Sequence, residues 1–373
     1  MDSIRMHACR GLVALTACQL AFAQEEPKYL FGPDEPFTLI GEIGDSGIQA
    51  GGWTQFGYTT EGKNNVGTGL FNSRPNEIVL NQQWFYLEKA PAPTDGGWDW
   101  GFRFDAMYGT DSQDTQAFGG RPNEWDNDFD NGNDYGWALP QAYVDIANED
   151  LNIRVGHFYT LVGYEVVTAP DNFFYSHAFT MYTAEPFTHT GVLATYSASD
   201  TVTVYGGWTA GWDTGFTRNS GSTFLGGVSV QLTPEVAATY ILTAGDFGSG
   251  ANGSDTNGYS HSIVVDVAVS EKLNYVAQSD YVDNQRFVGG EGKVLGLNQY
   301  LIYDVDDLWS VGGRVEYLDT NAFGGSLLAT TVGVNVHPSA NLTIRPELRY
   351  EKFSGGIGAQ DQLLFAVDAV LTF

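Results

Sequence analysis

Residues 363–373 read Leu-Leu-Phe-Ala-Val-Asp-Ala-Val-Leu-Thr-Phe and alternate between two kinds of side chain. One set is apolar throughout and comprises Leu363, Phe365, Val367, Ala369, Leu371 and Phe373. The other set is mixed and includes Asp368 and Thr372. A period of two is the pattern of a β-strand whose faces meet different surroundings. This stretch therefore predicts a strand with one fully apolar face.

The same alternation repeats toward the N-terminus as far as about Gly47. Segments of about 10 to 12 residues, at roughly 3.3 Å per residue, cross a bilayer when tilted. Sixteen candidate strands result, at approximately 47–60, 77–89, 98–109, 136–148, 151–162, 189–198, 201–212, 223–232, 236–246, 259–269, 273–283, 293–305, 308–319, 327–337, 342–353 and 361–373.

The connections between these segments alternate in length. Short turns occupy residues 148–150, 199–200, 233–235, 270–272, 306–307 and 338–341, and longer, polar, glycine-rich segments occupy the gaps between them. Short periplasmic turns opposite longer external loops are typical of outer-membrane barrels. The sequence thus predicts an all-β protein: a closed antiparallel transmembrane β-barrel over residues 47–373, with both termini on the periplasmic side.

The composition agrees with this fold and excludes some functions. The chain has a net charge of −28 with only 17 Lys and Arg, so it lacks the basic footprint of a nucleic-acid binder. Its 46 glycines and 14% aromatic residues suit strands with one apolar and one polar face. A soluble secreted β-protein stays an alternative, although lysine is scarce on the polar faces, where bulk water would favour it.

The N-terminus predicts export. Arg5 and Arg10 precede an apolar run, and Ala21-Phe22-Ala23 resembles a signal-peptidase site, so residues 1–23 are predicted to be a cleaved signal peptide. A lipoprotein signal ending at Cys18 is the competing interpretation. Residues 24–46 would form a short N-terminal periplasmic segment, either as a linker or with residues 37–43 tucked into the lumen.

Charged side chains fall on the inward faces of the predicted strands. Opposed charges on a lumen wall select permeating solutes by charge. The predicted pore-lining set is Arg103, Asp105, Asp145, Arg154, Asp266, Asp280, Asp304, Arg314, Glu316, Arg345, Glu347, Arg349, Glu351 and Asp368. The competing interpretation is that these groups only satisfy one another inside a polar interior.

Two long external segments are singled out. Residues 110–135 contain Asp126, Asp128 and Asp130 at the spacing that begins an EF-hand loop, but the glycine is displaced to Gly132 and no glutamate closes the loop. We expect a solvated acidic loop, with a weak divalent-cation site as the alternative. Residues 163–188 are long enough either to fold into the barrel or to cap it from outside.

Two prolines and one glutamine pair complicate the strand pattern. Pro140 and Pro346 fall inside strands, where a missing N–H usually accompanies a bulge, so we predict bulges at both positions. Gln82 and Gln83 leave the facing of their strand unresolved.

Several motifs resemble one known family. Residues 154–159 (RVGHFY), 163–165 (GYE), 170–176 (PDNFFYS) and 186–191 (PFTHTG) are similar to the OmpL-like β-barrel porin family, as are residues 51–55 (GGWTQ) and the terminal Phe373. The resemblance spans most of the chain from about residue 46 and implies a porin-type barrel of the bacterial outer membrane.

The expected function is passive diffusion of small hydrophilic solutes or ions, with a cation preference motivated by the acidic excess. A structural or adhesive barrel with a plugged lumen is the alternative. No enzyme is predicted, because Ser176, His177 and Asp171 are only neighbours in sequence. No cofactor is predicted. Expected partners are outer-membrane lipid and lipopolysaccharide, the barrel-assembly machinery through Phe373, and further copies of the chain in a homotrimer.

Overall fold

The computed structural model describes residues 29–31, 35–63, 71–72, 74–117, 124–132, 134–217, 221–248, 257–284, 292–321, 324–355 and 360–373. The predicted signal peptide, residues 1–23, and the alternative lipid site at Cys18 lie outside the described residues. Within the described part, no helix is both long enough and apolar enough to cross a membrane.

Strands make up nearly all of the regular structure. They are β1 (Gly41–Glu42), β2 (Gln49–Thr59), β3 (Ile78–Lys89), β4 (Asp99–Gly109), β5 (Gly136–Ala147), β6 (Leu151–Tyr159), β7 (Thr188–Ser199), β8 (Val202–Thr209), β9 (Ser222–Thr233), β10 (Val236–Asp246), β11 (Asn257–Ala268), β12 (Leu273–Asn284), β13 (Gly292–Asp304), β14 (Trp309–Thr320), β15 (Gly325–Ser339), β16 (Leu342–Gly355) and β17 (Gln362–Thr372). Two short helices are α1 (Ser112–Thr115) and α2 (Phe179–Ala184), with a 3-10 turn at Ala169–Asp171.

Sixteen of these strands, β2 to β17, form a closed antiparallel barrel in which each strand pairs with its sequence neighbours. The ring closes where β17 pairs with β2, and the N–H and C=O groups of Gly52 and Phe373 exchange hydrogen bonds of 2.9 Å. Closure leaves no strand edge unpaired, which a polar backbone in hydrocarbon requires. The predicted barrel and its sixteen strands are confirmed, and the two-residue β1 adds a short pairing to β2.

The alternation of side chains matches the two surfaces of the barrel. In β17, Leu363 and Phe365 are exposed on the outside, whereas Leu364 and Asp368 are buried inside. Large apolar side chains are exposed all around the outer surface, as lipid contact demands; examples from separate strands are Trp100, Val144, Val192, Trp208, Ile263, Leu297, Val315, Val332 and Leu348.

Of the two β-bulges predicted at prolines, one is confirmed. The register between β4 and β5 shifts between Asp105 and Met107, opposite Pro140. The bulge predicted at Pro346 is wrong, because Pro346 pairs in register with Val367 and the shift between β15 and β16 lies at Val336 to Ser339 instead.

A further register shift, between β2 and β3, lies beside Gln82. It turns Gln82 into the barrel, where its Oε1 accepts a 2.9 Å hydrogen bond from the Trp53 indole. Gln83 accepts one of 2.7 Å from the Thr54 hydroxyl.

Part of the predicted N-terminal segment is held against the turn between β15 and β16. The N–H of Phe37 donates to Asn341 Oδ1 at 2.8 Å, and Asn341 Nδ2 donates to the carbonyl of Phe37 at 2.9 Å. Phe37, Leu39 and Ile43 are exposed, so residues 37–43 do not tuck into the lumen.

Candidate functional site

The connection between β6 and β7 folds into the barrel; we call residues 160–187 the inward segment. Its apolar side chains are largely buried, and they include Val162, Val167, Ala169, Phe174, Tyr175, Met181, Ala184 and Phe187. Asn172 shapes its turn, because Oδ1 accepts from the N–H of Val166 at 3.0 Å and Nδ2 donates back to the Val166 carbonyl at 2.6 Å. Of the two placements that the sequence left open, the structure shows the inward one.

Arginines of β16 bind the backbone of the inward segment. Arg345 donates through Nη1 to the carbonyls of Ala169 at 2.7 Å and Asn172 at 2.6 Å, while its other nitrogens bind Asp368. Arg349 donates to the carbonyl of His177 at 3.1 Å. These guanidinium groups therefore supply the donors that the carbonyls of an irregular buried segment need.

Arg314 of β14 makes the most complete set of contacts. Its Nη1 donates to Glu165 Oε1 at 2.6 Å and to the carbonyl of Ser176 at 2.7 Å. Its Nη2 donates to the hydroxyls of Ser176 and Thr331. Only 1% of the Arg314 side chain is exposed, so this ion pair is fully withdrawn from bulk water.

Wall carboxylates bind the N–H groups of the same segment. Glu347 accepts from the N–H of Tyr175 at 3.0 Å and of Ser176 at 3.2 Å. Glu316 accepts from the N–H of Phe179 at 2.9 Å, where α2 begins. Arginines satisfy the carbonyls and glutamates satisfy the amides, so the predicted lumen charges of β14 and β16 position the inward segment.

The opposite side of the inward segment is sealed by apolar contacts. Toward β2–β5 and β17 it packs against an apolar cluster, in which Trp53 and Trp84 stack with ring centroids 4.6 Å apart; the cluster contains Trp53, Phe71, Trp84, Met107, Ala138, Val167, Ala169, Met181, Phe187 and Val370. Toward β6–β10 it packs on a second cluster: Phe158, Leu161, Val162, Leu193, Leu225 and Ile241.

The side facing β13–β16 carries the charged contacts described above, together with apolar packing beside α2 and around Tyr300; we call it the charged seam. Two buried nitrogens there face carboxylates just beyond hydrogen-bond range: Arg349 Nη2 lies 3.7 Å from Glu316 Oε1, and His177 Nδ1 lies 3.6 Å from Glu165 Oε2. Asn298 Nδ2 and the Tyr300 hydroxyl are buried without a hydrogen-bond partner. Buried polar atoms that lack a protein partner are typically bonded to ordered water. Atoms of this kind also occur on the apolar side, at Gln55 Oε1 and the Tyr159 hydroxyl, so it is the charged side chains that distinguish the charged seam.

The other predicted lining residues lie elsewhere on the inner wall. Arg103 Nε binds Asp105 at 2.8 Å, and Arg154 binds both oxygens of Asp145 at 2.9 Å. The Arg154 guanidinium also stacks 3.7 Å from the ring centroid of Tyr143. Glu351, by contrast, belongs to the charged seam, where it accepts from Arg349 at 2.6 Å. Asp280 is buried and accepts from Gln278 Nε2 at 2.6 Å. Asp266 is half-buried near the end of β11, and Asp304 is exposed at the end of β13.

The acidic external segment has a structural role. Buried Asp126 accepts from the N–H groups of Ala117 at 3.0 Å and Leu139 at 2.7 Å. Asp130 accepts from Gln113, and Asp128 is exposed. Over the residues that the structure describes, no three His, Cys, Asp or Glu side chains form a group suited to a metal ion.

The three residues considered for catalysis are engaged separately. Ser176 binds Arg314, and Asp171 accepts from the Thr168 hydroxyl at 2.6 Å. Buried His177 packs against Phe71 with the rings tilted by 47° and their centroids 4.7 Å apart, and its Nδ1 lies 3.6 Å from Glu165 Oε2.

Two carboxyls beside α1, which follows β4, were missed by the sequence reasoning. Burial raises the pKa of Asp111 to about 7 against the opposing hydrogen bonds from Asn81 and Gln82. Burial likewise raises the pKa of Asp114 to about 7, although its Oδ2 accepts from the N–H of Phe71 at 2.7 Å. Gln82 also donates to the carbonyl of Val167 at 2.8 Å, so this rim is coupled to the inward segment. A loop aspartate gives no sequence signal for such burial.

The chain is similar to known outer-membrane channels. A family model described as "Putative beta-barrel porin-2, OmpL-like" matches residues 47–373. No curated protein sequence matches the chain.

Solved structures share the fold at low sequence identity. The anion-selective porin from Comamonas acidovorans aligns with a TM-score of 0.60 and 12% identity over 87% of this chain and 99% of its own. The outer membrane channel DcaP of Acinetobacter baumannii aligns with a TM-score of 0.62 and 13% identity over 89% of this chain and 99% of its own. The trimer form of OmpT from Vibrio cholerae aligns with a TM-score of 0.59 and 10% identity over 87% of this chain and 99% of its own.

Proposed function

The chain belongs to the OmpL-like family of β-barrel porins and is a porin of the bacterial outer membrane; on that premise we propose that it is a narrow passive channel whose conducting path follows the charged seam. Small hydrophilic solutes and ions would pass between the inward segment and the wall of β13–β16. The inward segment would set the size limit.

One observation carries this proposal. Two apolar clusters join the inward segment to β2–β10, whereas β14 and β16 bind it through Arg314, Arg345, Arg349, Glu316 and Glu347. Apolar contacts with β13–β15 are confined to the regions beside α2 and around Tyr300. Water and ions avoid the first kind of surface and are stabilised by the second.

The charges of the charged seam favour a cation preference. Among the described residues, three arginines face four carboxylates there. The arginines are Arg314, Arg345 and Arg349, and the carboxylates are Glu165, Glu316, Glu347 and Glu351. An excess of fixed negative charge lowers the energy of a permeating cation.

Chemical modification of introduced cysteines tests whether the conducting path follows the charged seam. Cys9 and Cys18 are the two cysteines of the sequence, so replacing both with serine makes an introduced thiol unique. Thr331→Cys places a thiol beneath Arg314, and Ala138→Cys places one in the apolar seal; both positions are 0% exposed. We expect a small cationic methanethiosulfonate reagent to change single-channel conductance in Thr331→Cys only. Equal reactivity, or reaction at Ala138→Cys alone, contradicts the proposed path.

A second candidate function is a structural barrel with a plugged lumen. The inward segment touches strands around nearly the whole circumference, and a third apolar cluster fills the region beside α2; it contains Ala184, Trp212, Phe247, Val282, Val294, Leu318, Leu327 and Ala329. Single-channel recording separates the two candidates. A narrow channel gives small, stable steps, whereas a plugged barrel that is correctly folded gives none until the inward segment is shortened.

Assembly, partners and processing complete the proposal. We propose a homotrimer in contact with outer-membrane lipid and lipopolysaccharide, and delivery by the barrel-assembly machinery through Phe373. The polar pair of Thr54 and Gln83 supports a protein contact on the outer face of β2 and β3, because polar side chains are rare against hydrocarbon. We also propose cleavage after residue 23, residues 24–46 as a periplasmic segment, and no catalytic activity.

A further inference from the structure

The connection between β2 and β3 inserts one aromatic side chain into the mouth of the barrel. Phe71 belongs to this connection, yet only 2% of its surface is exposed. Its ring packs against three side chains of the inward segment, with centroids 4.7 Å from His177, 5.7 Å from Phe187 and 6.1 Å from Tyr182. Phe71 is part of the apolar cluster on the side of β2–β5, and through His177 it also reaches the charged seam.

The backbone of Phe71 is fixed by side chains of two other elements. Its N–H donates to Asp114 Oδ2 at 2.7 Å, and its carbonyl accepts from Asn81 Nδ2 at 2.9 Å. Asp114 lies in α1, and the fully buried Asn81 lies in β3. Both polar groups of the Phe71 backbone therefore have partners, although the residue lies outside the strands.

Phe71 adopts a backbone conformation that bulky residues avoid. Its φ is +69°, in the left-handed region that glycine tolerates and that is strained for a phenylalanine. Such strain persists only where the surroundings determine the conformation, and it is concentrated at functional positions. The two hydrogen bonds and the ring contacts thus hold Phe71 inside the barrel in spite of this strain.

Four aromatic side chains cross the mouth of the barrel in sequence; we call Phe71, Tyr182, Phe179 and Phe353 the aromatic row. Tyr182 contacts Phe71, Phe179 packs edge-to-face on Tyr182 at 6.2 Å, and Phe353 packs edge-to-face on Phe179 at 6.3 Å. The Arg349 guanidinium lies 5.0 Å from the ring centroid of Phe179. The aromatic row therefore extends from the side of β2–β5 to β16, next to an arginine of the charged seam.

Phe71 differs from the other members of the aromatic row in how it is held. Phe179 and Tyr182 belong to α2 and Phe353 belongs to β16, so regular structure fixes their backbones. Phe71 lies in a connection, and its backbone is bonded to two side chains. Removing the Phe71 ring should therefore open a space beside His177 and leave the rest of the aromatic row in place.

We propose that Phe71 is the size-determining residue at the external entrance of the charged seam, where its ring obstructs the approach of hydrated ions and small solutes to His177. An apolar constriction of this kind hinders passage because a hydrated solute finds no polar partner there. The inference rests on the proposed function, since it concerns entry to the conducting path.

Single-channel recording of the full chain in planar bilayers tests the proposal, with Cys9 and Cys18 replaced by serine. Phe71→Cys should conduct roughly twofold more than the wild type or better, because the constriction loses its ring. Benzyl methanethiosulfonate then attaches a phenyl ring to the new thiol. The conductance should fall back toward the wild-type value and rise again when dithiothreitol removes that ring, which a general loosening of the barrel would not do.

Phe129→Cys is the matched control. Phe129 is an aromatic residue of the connection between β4 and β5 and is 39% exposed, so this variant should conduct as the wild type does before and after the reagent. The heat-dependent electrophoretic shift of barrels checks folding. If Phe71→Cys does not fold, Asp114→Leu, which removes the acceptor of the Phe71 N–H, should conduct more than Asp114→Asn, which keeps one. Equal conductance of those two variants would then overturn the proposal.

The outcomes separate this inference from the proposed function. A conducting wild type with an unchanged Phe71→Cys would overturn the role of Phe71 and leave the channel in place. A silent wild type with a conducting Phe71→Cys would reject the open channel and support the role of Phe71. If neither conducts, modification of His177 by diethyl pyrocarbonate, mapped by mass spectrometry in detergent micelles, decides. It should be several-fold faster in Phe71→Ala than in the wild type or Phe129→Ala, and equal rates would overturn the inference.

Discussion

Glu165 and Arg314 are 149 positions apart in the chain, yet Arg314 Nη1 donates to Glu165 Oε1 at 2.6 Å inside the barrel. The first residue belongs to the inward segment and the second to β14. This ion pair joins a segment from the N-terminal half of the chain to a wall strand near its C-terminus.

Replacing only one member of this ion pair should destabilise the protein. Arg314→Met leaves Glu165 buried and unpaired, which costs about 3–5 kcal/mol for such pairs. The double variant Glu165→Gln with Arg314→Met should recover most of that loss, because no buried charge remains unpaired. Urea unfolding of the single and double variants measures the coupling. Strictly additive effects would contradict the pairing.

Removing positive charge from the charged seam should increase cation selectivity. Arg349→Gln deletes one of the three arginines that face it, so the reversal potential under a KCl gradient should move toward the potassium equilibrium potential. Arg74→Gln is the control, since Arg74 pairs with Asp134 and Glu77 away from the seam. A shift of equal size in both variants, or in neither, would place the ion path elsewhere.

Shortening the inward segment should widen the channel. Replacing residues 164–186 with a short Gly-Ser linker keeps β6 and β7 intact but removes the groups that contact β12–β16. We expect single-channel conductance to rise several-fold, because conductance grows with the free cross-section. An unchanged conductance in a folded barrel would show that another segment limits the flow.

The rim beside α1 should loosen as pH rises. The pKa of Asp114 is raised by burial from 3.8 to about 7 in the folded protein. A raised carboxyl pKa gives a stabilisation that is complete below the unfolded value and is lost as pH rises through the folded one. Hydrogen exchange of residues 110–117, corrected for intrinsic rates, should therefore show less protection at pH 8 than at pH 5. In Asp114→Asn this difference should shrink, because the side chain stays neutral; an undiminished difference would assign the effect to another group.

The strands were predictable because their signal is local. The alternation around Asp368 fixes which side chains face inward, and the short turns fix which ends of the strands meet. The inward position of Arg314, Glu316, Arg345 and Glu347 follows from the same period of two. The period of two does not tell whether those charged side chains face water or another segment of the chain.

The remaining features depend on contacts between distant positions. Arg345 meets the carbonyl of Ala169 across 176 positions, and no local pattern encodes that approach. The structure also separates two prolines that look alike in sequence, since a register shift lies opposite Pro140 while the ladder continues in register past Pro346. The pairing of Glu185 with Gln278 likewise appears only when the inward segment is seated.

The distance in sequence between the inward segment and its binding partners also constrains the order in which the protein can assemble. Residues 160–187 emerge in the first half of synthesis, but Arg314, Arg345 and Glu347 follow more than 120 positions later. A half-built barrel therefore offers this segment no set of matching donors and acceptors. We therefore expect the inward segment to become buried in the same late step in which β17 pairs with β2. Long-range contacts form only after the intervening chain has been ordered.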